Sequence, residues 1–249
     1  MEYHLNYIMR IFKLFLLFFI LINPVKADLI YNLIKIPNLE IYKLKTSNDL
    51  KYFYAEKPFR LGVQKNISCT NSNKKNYDEK YKIISKNLNR YSKKFLEKIN
   101  LRYIVMCENL IISGINTAGI PDGKMRTLIL DINFNKKYFE RAIHHEVFHI
   151  INDQHKKKFN ENEWKKFNYS NFKYLKCSTC TQKLDLNTYN KTNGFFTEYS
   201  KTTPSEDMAE VFSHIMIFKN EIDKNDSILN KKVEFIKKNL LTIYGNFKF

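Results

Sequence analysis

The sequence has 249 residues and a formal net charge of +17, from 42 Lys and Arg against 25 Asp and Glu. That length suits one domain, or one domain of two lobes around a cleft, and no internal repeat or long linker argues for more. The lysines are spread along the chain among many Asn and Ile, as biased codon usage would give; without a nucleic-acid motif or a basic stripe among exposed aromatics, no nucleic-acid partner is expected, while contact with an anionic surface stays open.

Residues 1–27 read as a signal peptide. Arg10 and Lys13 precede the apolar run Leu14 to Ile22, and Pro24-Val25-Lys26-Ala27 offers a small-x-small cleavage site. An uncleaved leader would instead anchor the chain, although the run is short for a bilayer. Both readings place the remainder outside the cytoplasm, secreted or periplasmic. Cleavage removes Arg10, Lys13, Lys26 and Glu2, leaving 222 residues at +15.

Short apolar alternations, Leu29 to Ile36 and Leu39 to Leu44, punctuated by Pro37 and Pro58, predict strands and loops up to Ser68. Asn76 or Asp78 then caps a long helix with Tyr81, Ile84, Leu88, Tyr91, Phe95 and Ile99 on one face. Two neighbouring strands follow, Leu101 to Ser113 and Thr127 to Phe134, separated by the turn signals Gly114, Gly119, Pro121, Asp122 and Gly123. Helices are expected at about 136–154, 204–219 and 226–243, the last with Leu229, Val233, Ile236 and Leu240 on one face. The order makes an α+β layout.

Four cysteines in an exported chain suggest two disulfides, Cys177 with Cys180 and, by elimination, Cys69 with Cys107. The alternative is a structural zinc on four thiolates, but such sites usually draw on two close pairs and Cys69 and Cys107 stand apart.

The helix expected at 136–154 contains His145-Glu146-Val147-Phe148-His149. Residues four apart share a helical face, so His145 and His149 present two imidazoles together, with Ile143, Val147, Ile150 and Ile151 as an apolar back. Two histidines at this spacing suit a zinc ion, and the glutamate beside the first can take a proton from a water that the ion acidifies. With only six histidines in the chain, a chance match is rare. His144 falls on another face and reads as a hydrogen-bonded neighbour. A catalytic zinc takes three protein ligands, and three candidates exist for the last: His155, Glu206 and Glu210. His155 has the spacing of an extended motif, with Asn152 where glycine would turn the chain. Glu206 and Glu210 share a face of the next helix, although Thr203, Pro204 and Glu206 also read as cap, first-turn proline and capping-box glutamate. His214 drifts off that face and is left out of the site.

Tyr199 precedes Glu206 by seven residues, and the run continues Glu206-Asp-Met-Ala-Glu210-Val-Phe. This resembles the lethal-factor-like metalloproteases, and secreted bacterial zinc metallopeptidases with a similar Tyr, then Glu-Asp-Phe-Ala-Glu signature; Met208 stands where Phe is common. The resemblance covers two windows, about 35 residues. It implies a gluzincin, an HExxH-plus-Glu zinc hydrolase, with a zincin-like fold: a small mixed sheet with an edge strand beside the motif helix, then a mainly helical C-terminal lobe. Residues 28–249 would form this catalytic domain, about 28–155 as the N-terminal lobe and about 156–249 as the lobe bearing the third ligand. The implied roles are His145, His149 and Glu206 as ligands to one zinc, Glu146 as base and Tyr199 as the phenol facing the oxyanion, with Glu210 as the acidic residue that orients a motif histidine. The implied activity is a metalloendopeptidase in which a zinc-bound water, activated by Glu146, attacks a protein or peptide substrate lying antiparallel to the edge strand, for which Thr127 to Phe134 is the natural candidate. The rivals are a non-catalytic binding protein holding an anionic envelope component on its basic surface, and a cell-wall peptide hydrolase using the same site.

Overall fold

Strand-forming segments dominate the first half. β1 (Leu39–Lys43), β2 (Lys51–Ala55), β3 (Phe59–Leu61) and β4 (Ile67–Thr70) precede the first helices, and β5 (Tyr103–Ile112), β6 (Ile115–Asn116), β7 (Gly119–Asp122) and β8 (Thr127–Asp131) follow them. The helices are α1 (Lys74–Leu88), α2 (Lys93–Lys98), α3 (Lys136–Gln154), α4 (Glu161–Lys165), α5 (Pro204–Phe218) and α6 (Ser227–Ile243). This computed structural model describes residue 36 and residues 38–180, 185–218 and 225–249, which fall in one compact unit, Ile36–Phe249. The expected leader, and most of the alternation from Leu29 to Ile36, lie outside the described residues. Among the described residues no helix is long and apolar enough to cross a membrane.

The sheet is open and mixed. Its main run is β1, β2, β5, β8, β7, with the three central strands parallel and the two outer ones antiparallel. The first half of β5 lies between β2 and β8, while its second half pairs with β4 and β6. The change of partner has a local cause. Asn109 adopts a positive φ of 54°, and the buried Asp131 carboxylate accepts hydrogen bonds from the main-chain N–H of Asn109 (3.0 Å) and Leu110 (3.1 Å), groups a regular ladder would have used.

β8 is not an edge strand, and this corrects the sequence reading. It ends at Asp131, is buried along its length and lies between β5 and β7. The exposed edge belongs to β7, made from the segment that read as turn signals. Asp122 Oδ1 accepts from the N–H of Lys124 and Met125, 3.0 Å each, which folds the chain into a hairpin. Pro121 lacks an N–H, so it suits only an open edge.

The long helix expected to run to Ile99 is two helices. Asn73, not Asn76 or Asp78, caps α1, and Ser92 caps α2 by accepting from Phe95 N–H. The break is stabilised from outside: the buried Asn48 amide donates to the carbonyls of Leu88 (2.9 Å) and Tyr91 (3.3 Å). The apolar face keeps its order across the break, since Ile84, Leu88, Tyr91, Phe95 and Ile99 are all buried.

Both predicted disulfides, Cys69–Cys107 and Cys177–Cys180, are present and no cysteine is free, which removes the four-thiolate zinc. The main core joins the sheet to the helices. Ile143, Val147, Ile150 and Ile151 of α3 pack in it with Met208, Val211, Phe212 and Ile215 of α5 and Leu229, Ile236 and Leu240 of α6. Burial of each such large side chain contributes about 1.5–3 kcal/mol, so α3 and α5 are held face to face by their backs, and their polar stripes meet.

Candidate metal centre

Two helices supply the converging groups. Asn135 caps α3 by accepting from Lys137 N–H, and the helix continues unbroken through the motif to Gln154. Thr203 Oγ1 accepts from Glu206 N–H (3.2 Å) at the start of α5. The cap therefore engages the Glu206 main chain, and the side chain is free to face α3.

There it meets both histidines. Glu206 Oε2 lies 2.9 Å from His145 Nε2 and 3.2 Å from His149 Nε2, and the two nitrogens are 3.1 Å apart. Zinc–ligand bonds of about 2.0–2.1 Å at a tetrahedral angle require ligand atoms about 3.3 Å apart, close to this triangle. His145, His149 and Glu206 could hold a metal ion as a set. The charges favour one. Burial opposes a charge on His145, yet the hydrogen bonds and charges of Glu206 and Glu210 outweigh it and push the imidazole up to about 10. Burial likewise works against the Glu206 carboxylate, which His149 and His145 hold well below the usual range.

Glu210, one turn after Glu206, takes a different place. Its Oε1 accepts from His145 Nδ1–H at 2.9 Å, which leaves the Nε2 lone pair for the ion. Burial raises its pKa, but His145 and Arg141 more than reverse this and carry it to about 2. Glu146 is buried beside the triangle, and burial lifts its carboxyl to about 7. Tyr199 opens a short 3-10 turn, Tyr199–Lys201. Its ring centroid is 5.8 Å from that of His145, and burial, followed by the charges of Glu206 and Glu146, pushes the phenol well above its ordinary pKa. It stays protonated and able to donate.

The remaining histidines among the described residues are elsewhere. His155 is the residue after α3, carried past the centre because Asn152 stays helical instead of turning the chain. His144 is fully buried between the Tyr91 hydroxyl and Asn87 Oδ1. His214 stacks on Phe196 with ring centroids 3.9 Å apart.

The triangle opens into a cleft of about 690 Å³, lined mostly by apolar groups. It is lined by the β6–β7 segment, by α3 and by Ser178, Thr179, Leu186 and Tyr199. Residues 91–245, more than half of the chain, match the family described as "Putative zinc-binding metallo-peptidase". The chain belongs to this family. Zinc is accordingly its metal, and the His145, His149 and Glu206 donor set fits it. The chain is also similar to the crystal structure of a "putative zinc-binding metallo-peptidase" from Bacteroides caccae, with 19% identity, 88% of this chain and 87% of that chain covered, and a TM-score of 0.48. No curated protein matches it.

Three residues in contact with the proposed site residues were missed from sequence. Arg141 is buried one turn before His145, and a cation four residues ahead of the first histidine was a signal that could have been read. Thr197 donates to Glu210 Oε2 at 2.9 Å, with no sequence signal. Gly119 is so close to Glu146 that a Cβ there would lie 2.7 Å from Glu146 Cγ; in the sequence it was one turn glycine among several.

Proposed function

We propose that this chain is an exported zinc metalloendopeptidase of gluzincin type, akin to the lethal-factor-like enzymes, with His145, His149 and Glu206 as ligands, Glu146 as general base and Tyr199 as oxyanion donor. One observation carries the reading: the three ligand atoms form a zinc-sized triangle at the floor of a cleft, with Glu146 and Tyr199 both lining it. Zinc, when bound, acidifies a water and polarises the carbonyl of the bond to be cut.

The protein's own groups handle the protons. Glu146 removes one from the attacking water as oxygen bonds to the peptide carbon, then delivers it to the nitrogen as the C–N bond breaks, so that the amine leaves neutral. Tyr199 O–H donates to the oxyanion that develops on the former carbonyl. Glu210 holds His145 by Nδ1 throughout. The substrate lies extended along β7, whose Pro121 cannot donate and therefore faces away from β8, as does Gly119 two residues earlier. A leader over residues 1–27 and two disulfides suit export into an oxidising compartment.

The test is a purified chain from residue 28, assayed for zinc content and for cleavage of a mixed peptide library by mass spectrometry. About one zinc per chain, with cleavage lost in Glu146→Ala at unchanged zinc, is expected. Zinc without cleavage of any peptide would favour the binding-protein reading.

A further inference from the structure

Arg141 reaches four residues at once. Its guanidinium, 7% exposed as a residue, lies with Nη2 3.7 Å from Glu210 Oε2. The same Nη2 donates to the Leu186 carbonyl, and Nη1 donates to Thr188 Oγ1 (3.3 Å) and sits 3.5 Å from His214 Nε2. Tyr138, one side of whose ring the guanidinium faces at 5.6 Å, donates to Asn187 Oδ1 at 2.9 Å. Residues 186–188 are thus tied to α3 at each position. They matter to the cleft, because Leu186 lines it and the neighbouring Asp185 carbonyl accepts from Tyr199 N–H at 3.2 Å.

Charge gives the second half of the argument. A His145 that offers Nε2 to a metal is a neutral imidazole, so it hydrogen-bonds Glu210 without neutralising it. A buried carboxylate needs a cation. The cation beside Glu210 Oε2 is Arg141; the other neighbours are the Thr197 hydroxyl and His214, whose Nδ1 faces the Glu210 main-chain carbonyl at 2.7 Å.

We propose that Arg141 is a positioning residue for the metal centre: its guanidinium backs the Glu210 carboxylate that holds His145, and its fork clamps the 186–188 wall that fixes Tyr199. The inference rests on the metallopeptidase reading, and its two functions separate by substitution. Lysine keeps the charge but not the planar fork; methionine keeps neither.

The experiment follows zinc release to a chromophoric chelator and amide hydrogen exchange at residues 186–189, neither of which needs turnover. Arg141→Met should release zinc roughly 10- to 100-fold faster, the range for loss of an outer partner of a zinc ligand, and lose protection at 186–189. Arg141→Lys should restore most of the zinc retention but not the protection, and should lower kcat more than it raises KM, as a displaced Tyr199 requires. In a Glu210→Gln background, Arg141→Met should add little further zinc loss, because the two act through one path. Additive losses overturn the proposal, as do wild-type release and exchange in Arg141→Met. Should that variant fail to fold, Arg141→Lys decides alone, and wild-type protection at 186–189 in it refutes the clamp. A protein that cuts no peptide yet shows these zinc and exchange effects would refute the peptidase reading and leave Arg141 in its role.

Discussion

Substituting Gly119 by alanine tests the placement of the proposed base without touching it. Gly119 lies on an ordinary β-strand, so alanine costs nothing in backbone conformation and the effect is steric. The new methyl would meet Glu146 Cγ at 2.7 Å, the Ile129 carbonyl oxygen at 3.1 Å and Leu130 Cδ2 at 3.2 Å. Backbone blocks retreat toward β8, so Glu146 gives way. Ordinary contact begins near 3.4 Å, so its side chain must withdraw by about 0.7 Å. A misplacement of about 1 Å at a reacting group costs on the order of 100-fold, and kcat should therefore fall roughly 10- to 100-fold, about 1.4–2.7 kcal/mol of barrier. Overpacking should also cost about 1–3 kcal/mol of stability. The assay is steady-state cleavage of a peptide from the library screen, with zinc measured on the same sample. A folded Gly119→Ala enzyme with wild-type kcat would refute the reasoning, and so would one whose activity loss merely tracks lost zinc, since the methyl is aimed at Glu146 and not at the ligands.

Other outcomes follow from the same geometry. Glu206→Gln should lose zinc more severely than Glu210→Gln, because one side chain faces the metal point and the other the far side of an imidazole; the opposite ranking in equilibrium dialysis reassigns the two. Tyr199→Phe should keep its zinc and lose about 10- to 1,000-fold in kcat, with less change in KM, and unchanged turnover would remove the tyrosine from the mechanism. Replacing Cys69 and Cys107 together by alanine frees a 38-residue separation and should lower stability by about 2–4 kcal/mol in urea titrations; an unmoved midpoint would mean that the bridge contributes nothing. Lys232, fully buried with its Nζ 2.6 Å from Asp207 Oδ2, should cost about 3–5 kcal/mol as Lys232→Met, since it strands a buried carboxylate, and adding Asp207→Asn should recover part of that loss.

What could be read from the sequence follows from range. The span of α3, its apolar back and the pairing of four cysteines rest on spacing along the chain, which is visible without coordinates. The capping signal at Thr203 was legible too, but in the sequence it competed with a ligand role for Glu206; only the structure shows that Thr203 takes the Glu206 N–H and leaves the carboxylate to face α3. The break after Leu88 was not legible: an unbroken apolar face continued across it, and the amide that satisfies the freed carbonyls comes from Asn48, some 40 residues earlier. The edge strand was misplaced for a related reason. Gly119, Pro121 and Asp122 are turn residues by composition, but an open edge tolerates a proline and a close helix demands a glycine, and both conditions are set by distant neighbours. Arg141 shows the intermediate case, with its position on the ligand stripe readable and its partners on α5 and the 186–188 segment not.

The divided strand β5 carries a mechanical consequence. Where it parts from the main sheet, Cys107 is bridged to Cys69 and Asp131 grips Asn109 and Leu110, so the arm formed by the end of β5 and β6 is fastened at its root, and β4 pairs with it as far as Ile112. Ile112 and Ile115, farther along the arm, line the cleft, and Gly114, between them at a positive φ of 83°, has no neighbour within 4 Å of where a Cβ would stand. The part of the cleft wall that Ile112 and Ile115 form is therefore braced from outside by the disulfide and by β4, while the stretch of β7 against Glu146 is carried by β8, so the two halves of that wall take their support from different strands.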